Sequence, residues 1–171
     1  MSETPRRPAV STRYELLAVV ALLAVPIAVV PAATGDPTLV SLWGLINTGV
    51  RSSATGLHLY PVWTYFADQP RSFGALPASI RAWPLSVGFH LCAAASAGSG
   101  VAFGREDRRV TGGLLLLAAF ASLWVGVGLA ERFGVGTASG WFTVLPLGAV
   151  ATATVVTVVY RTDLRSVFVR P

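Results

Sequence analysis

The sequence predicts an all-α membrane protein built on four transmembrane helices, and three observations carry that expectation. Apolar runs of 20 or 21 residues recur at residues 14–33, 83–103, 110–130 and 141–160, each long enough at about 1.5 Å per residue to cross a hydrocarbon core of about 30 Å. Hydrophobic residues make up 53% of the chain and charged residues only 12%, against about 25% charged in soluble domains. The basic residues, all arginine, fall in short groups between the apolar runs. That last pattern also decides what a net charge of +5 means. Phosphate binding needs clustered, exposed cations, so the expected partner is the lipid bilayer and not nucleic acid.

Taken in order, residues 1–13 are polar, with Pro5, Arg6, Arg7, Pro8 and Arg13, and read as a short disordered cytoplasmic tail. The first span, residues 14–33, carries one charge, Glu15, at its start, and Pro26 is expected to kink it. Its apolar run exceeds the about 7–15 residues of a signal-peptide core, which favours a retained helix over a cleaved leader. Residues 34–82 form an outer, aromatic-rich segment with two apolar runs, LVSLWGLI around Trp43 and HLYPVWTYF around Trp63, separated by NTGVRSSATG. Boundaries of Gly, Pro, Asn and Ser favour a membrane-hugging β-hairpin, with Pro61 on an edge strand. A pair of interfacial helices is the other reading. Pro77 is placed to open a short helix through Ile80 and Arg81.

The second span, residues 83–103, is the least apolar and the third, residues 110–130, the most. On an insertion scale of about −0.3 to −0.6 kcal/mol for each Leu, Ile, Val or Phe, the ten such residues of the third span contribute roughly 3–6 kcal/mol, whereas the second has six and must also accommodate His90, three serines and three glycines. The connector GREDRR between them puts Glu106 and Asp107 among arginines, as a solvated loop. The fourth span is rich in Val and Thr, and residues 161–171 form a basic cytoplasmic tail, which leaves residues 14–160, outer segment included, as one transmembrane domain. Arg6, Arg7, Arg13, Arg105, Arg108, Arg109, Arg161, Arg165 and Arg170 fall on one side of the spans and Arg51, Arg71, Arg81 and Arg132 on the other. The excess places both termini in the cytoplasm of a multi-pass protein of the cell membrane.

The second span needs protein neighbours. Gly88, Cys92, Ser96 and Gly100 form a row of small residues four apart, and Ala118, Ser122, Gly126 and Ala130 a matching row on the third span. Rows of this kind let helix backbones approach closely, so these eight are the expected packing residues. His90, an ionisable group inside a span, is a candidate ligand or partner-binding residue. Haem ligation by two histidines would need a second chain, since His58, the other histidine, lies in the outer segment. The packing role, a neutral His90 bonded to Ser122 or to a freed carbonyl, is favoured. Cys92 is the single cysteine, which excludes an intramolecular disulfide and a cysteine-built metal site. Trp43, Trp63 and Tyr65 are the outer candidates for holding a lipid or a partner chain. The GxSxG, HExxH, P-loop and CxxC patterns do not occur. The expectation is a non-enzyme with no metal and no cofactor.

At Trp43-Gly44, at Pro61, Trp63 and Tyr65, and at Ala82-Trp83-Pro84-Leu85, the chain resembles a family of small uncharacterised multi-pass membrane proteins of halophilic archaea. The likeness spans most of residues 15–160 and implies a membrane protein of unknown function, with no active site to carry over. The function expected is an accessory or scaffold subunit of a membrane assembly, with a membrane protein partner or a homo-oligomer. The alternatives are a small channel or carrier for a neutral or lipidic solute, and haem or quinone binding across a homodimer through His90.

Overall fold

A computed structural model describes residues 9–30, 37–47, 50–51, 54–132 and 144–168. Its centre is a helical hairpin of α3 (Ala78–Phe103) and α4 (Arg108–Arg132). Three contacts show that the two run antiparallel: Ser79 meets Gly128, Ser86 meets Ser122 and Ser96 meets Thr111. The turn between them is short because each end is capped locally. Gly104 takes a left-handed conformation, φ 65°, and returns its N–H to the Gly100 carbonyl at 3.0 Å. Asp107 Oδ1 accepts from the N–H groups of Arg109 and Val110 at 3.0 and 3.4 Å, an N-cap for α4. Asp107 is therefore a capping group and not part of a loose charged loop. Among the described residues, these two helices are long and apolar enough to cross a membrane.

The first and fourth apolar runs do not form the full helices expected of them. α1 covers Ala9–Leu22, so it starts inside the expected tail and stops well short of residue 33. Pro26 is the reason: it has no N–H for the Leu22 carbonyl, and its ring clashes with a helical turn before it. The chain leaves the helix through tightened bonds, from Leu23 N–H to Val20 O and from Val25 N–H to Leu22 O, and Ala28–Val30 becomes strand β1. At the other end, the helix begins at Leu147 rather than at residue 141. Leu145 is held extended against Val29, with both backbone bonds formed at 3.0 and 2.9 Å, and Pro146 then occupies the N-cap position of α5 (Leu147–Val155). A π-helical stretch, Val156–Tyr160, continues into α6 (Arg161–Phe168), so part of the expected C-terminal tail is helix. Residues 141–143 and 169–171 lie outside the described residues.

The expected hairpin is present inside a larger, four-stranded antiparallel sheet of order β1-β2-β3-β6. β2 (Thr38–Val40) pairs with β1, and β3 (Gly44–Asn47) pairs with β6 (His58–Pro61) in the register Gly44↔Pro61 to Asn47↔His58. A two-residue pair, β4 (Val50–Arg51) with β5 (Ala54–Thr55), lies between them in sequence. Pro61 splits the second aromatic run: strand before it, and the short helix α2 (Val62–Ala67) after it. The sheet is tied to the helices by Trp83, fully buried, whose indole donates to the Leu42 carbonyl at 3.1 Å. One apolar core joins Ile27, Val40, Leu42, Ile80, Trp83 and Val125 at the sheet end. A second joins Val19, Leu22, Ala93, Ala97, Leu115 and Tyr160 toward the other end.

Gly44 is where the sheet tolerates no side chain. Its φ is +150°, and a Cβ there would lie 2.2 Å from the Tyr60 carbonyl oxygen across the ladder. Gly44→Ala is expected to destabilise the protein by about 1–3 kcal/mol through backbone strain and overpacking, read as a lowered midpoint of thermal unfolding in detergent.

Candidate functional site

Between the two apolar cores lies a layer of polar side chains drawn from three helices. Ser86 and His90 come from α3, Ser122 from α4 and Thr152 from α5, all buried. The Ser86 and Ser122 hydroxyls meet at 2.8 Å. His90 Nδ1 lies 2.8 Å from the Ser86 carbonyl, an oxygen that only accepts, so Nδ1 carries the hydrogen. Nε2 is then free to accept from the Thr152 hydroxyl at 3.1 Å. The result is a neutral imidazole with both nitrogens engaged within the chain, and the residue is 3% exposed. Ser122, anticipated as a partner of His90, reaches it only through Ser86. Thr152 is one of several threonines in its apolar run, and composition alone does not single it out as the partner of His90.

The small-residue rows behave differently on the two helices. The buried seam of α3 runs Ile80, Trp83, Ser86, His90, Ala93 and Ala97, spaced three or four apart, whereas residues strictly four apart advance about 40° around the helix at each step. The row therefore crosses the seam rather than following it. Gly88 faces open space and Cys92 is exposed, while Ser96 bonds to Thr111 at 2.7 Å and Gly100 packs on the Glu106 side chain. On α4, Ala118, Ser122 and Gly126 are buried and Ala130 is half-buried.

The aromatic candidates separate into two places. Tyr65 packs 5.5 Å from Trp83 and 5.3 Å from Phe66, ring centre to ring centre, and helps to seat the sheet on α3. Trp43 and Trp63, 42% and 66% exposed, border an apolar cavity of about 550 Å³ between the end of α1 and strands β3 and β6, with Leu23, Leu45 and Leu59 on its walls. Trp43 is held there by its indole N–H, which donates to the Leu23 carbonyl at 2.9 Å.

A charged cluster at the opposite end was not foreseen. Arg108, at the start of α4, pairs with Glu15 of α1 and with Asp163 of α6, the latter at 3.0 Å. It also donates to the Val159 carbonyl at 2.9 Å within the π-helical stretch and lies over the Tyr160 ring, 4.9 Å from its centre. The signal was present in the sequence: Glu15, Arg108 and Asp163 each stand at an end of an apolar run, and all three ends fall on the same predicted side. Glu106 turns inward beside this cluster and accepts a bond from the Tyr160 hydroxyl at 3.3 Å. Burial pushes its carboxyl above the ordinary carboxylate range and Glu15 adds to the rise, while Arg108, Thr111 and Tyr160 pull the other way.

A family profile described as Domain of unknown function (DUF8050) matches residues 1–170. The chain belongs to the DUF8050 family. Comparison with curated proteins finds no match.

Two consequences of this DUF8050 geometry are measurable. Arg108→Gln removes the guanidinium that Glu15 and Asp163, both mostly buried, share, and is expected to cost about 3 kcal/mol in unfolding free energy. Arg108→Lys restores only part of it, because a single ammonium does not reproduce the guanidinium fork. Glu106 holds its proton more tightly in the folded chain than in the unfolded one. Its stabilising contribution is therefore full below the ordinary carboxylate pKa and is lost as pH rises through the raised one. The unfolding midpoint in detergent should fall over that window, and Glu106→Gln, which does not ionise, should flatten the fall.

Proposed function

We propose that this protein is a non-enzymatic, multi-pass protein of the cell membrane that serves as an accessory or scaffold subunit of a membrane assembly. In this reading four helical segments, α1, α3, α4 and α5 with its π-helical and α6 continuation, sit in the bilayer with both termini cytoplasmic, and the sheet and α2 lie at the outer face. The observation that carries the reading is how polarity is distributed across the hairpin. Leu85, Leu91, Leu116, Leu117, Phe120 and Trp124 are exposed on the outside of α3 and α4, while Ser86, His90, Ser122 and Thr152 bond to one another inside. Apolar residues outward with polar groups satisfied inward is what hydrocarbon demands and water penalises. The likeness to small membrane proteins of halophilic archaea supports the same reading.

A scaffold role draws on the same surface, since an outward apolar face serves a partner helix as well as lipid. A second reading, a carrier or binder of a lipidic solute, draws on the apolar cavity beside Trp43 and Trp63. Haem or quinone held across a homodimer by His90 finds no support, because both ring nitrogens are occupied within the chain.

The test is extraction of native membranes in mild detergent followed by affinity capture of the chain. The expected result is retention in the membrane through an alkaline wash and recovery with a partner protein or as a homo-oligomer; recovery of the isolated monomer alone overturns the scaffold role, and release by the wash overturns the membrane reading. Reporter fusions after Gly104 and after Gly136 should read cytoplasmic and external.

A further inference from the structure

Because α3 and α4 are antiparallel, the first turn of α3 stands beside the last turn of α4. The helix dipoles then present a partial positive charge and a partial negative charge side by side. The α3 terminus is unfilled: Pro77 offers no side-chain cap, and the N–H groups of Ala78 and Ser79 have no acceptor among the described residues. A cavity of about 490 Å³ opens at this place, with Arg71, Ser79 and Glu131 on its wall together with the apolar side chains of Leu76 and Ile80.

Ser79 is 7% exposed. Its hydroxyl lies against Gly128, also on the cavity wall, where a Cβ would come within 2.0 Å of it. Among the described residues that hydroxyl has no hydrogen-bond partner, an unusual state for a buried polar group in a folded protein. Arg71 and Glu131 share the cavity, yet no ion pair joins them, and neither pairs elsewhere among the described residues. Two opposite charges held apart at one cavity, each next to the helix end of its own sign, leave a gap for a molecule that carries both charges.

We infer that this cavity binds a small zwitterion, its anionic group received by Arg71, the Ser79 hydroxyl and the N-terminus of α3, and its ammonium by Glu131. A lone anion would meet Glu131, and a lone cation would meet Arg71 and the positive helix end. Leu76 and Ile80 receive the carbon portion. The same chemistry is carried by a phosphoethanolamine headgroup on a lipid and by its free, water-soluble counterpart. The lipid source rests on the bilayer reading above; the soluble source does not.

The experiment uses the full chain in a non-ionic detergent. Native mass spectrometry measures retention of phosphatidylethanolamine against phosphatidylglycerol, and calorimetry measures binding of glycerophosphoethanolamine. The expected result is a preference of about tenfold for the zwitterion over its anionic counterpart. Arg71→Gln should abolish zwitterion binding. Glu131→Gln should remove the preference by admitting the anionic lipid, an exchange of selectivity that damage to the fold does not produce. Both side chains are exposed, and an unchanged circular dichroism spectrum checks the variants. Preference for the lipid alone identifies a headgroup; equal affinity for glycerophosphoethanolamine identifies a free zwitterion. No preference in either measurement, or a preference that both variants retain, overturns the inference.

Discussion

The chain of hydrogen bonds from Ser122 through Ser86 and His90 to Thr152 holds three helices at one level, and the packing on either side is built around it. In lipid, apolar side chains gain little by leaving their surroundings for a helix interface, so association relies on close contact and on polar groups that find partners. The second apolar run is the one least able to stand alone, and it supplies two of the four members of this chain. The cost of carrying His90 into the interior is offset by giving each ring nitrogen a partner and by keeping the ring neutral. Above and below this level the packing is apolar, with Trp83 at the sheet end and Ala93, Ala97 and Leu115 toward the other.

Arg108 performs a related task at the far end of the hairpin. It draws together the first helix, the fourth and the terminal one, through two carboxylates and a backbone carbonyl of the π-helical stretch. A π-turn disturbs the regular backbone ladder of a helix, and the guanidinium meets a carbonyl within it. The two devices differ in kind. One is neutral and deep, where a charge would be expensive; the other is ionic and stands at the helix ends.

Much of the helical hairpin was legible in the sequence, because length and continuous apolarity depend only on local composition. The pairing of the strand around Gly44 with the one ending at Pro61 was legible too, since turn residues bracket both. The first run misled because its composition is uniformly apolar through Pro26, and composition does not record that residues 28–30 bond to a neighbouring strand instead of their own helix. The same holds for the fourth run, where extended pairing of Leu145 with Val29 sets the start of the helix. Cys92 and Gly88 share the four-residue spacing of packing positions, but that spacing drifts around the helix and carries them off the buried seam. The role of Arg108 is hidden in the sequence because charges at run ends serve equally well as topology signals, and only the matching of three distant ends reveals a cluster.

The bridge between Val29 and Leu145 also bears on the order in which the protein is made. β1 has β2 on one side, and on the other it bonds to a residue more than a hundred positions later in the chain. Until that residue leaves the ribosome, one edge of the sheet has its backbone groups unpaired, a state that invites pairing with other chains, and the contact is of the long-range kind that forms slowly. The segment that begins at Leu145 thus closes the sheet as well as the bundle, and a nascent chain lacking it carries an open strand edge.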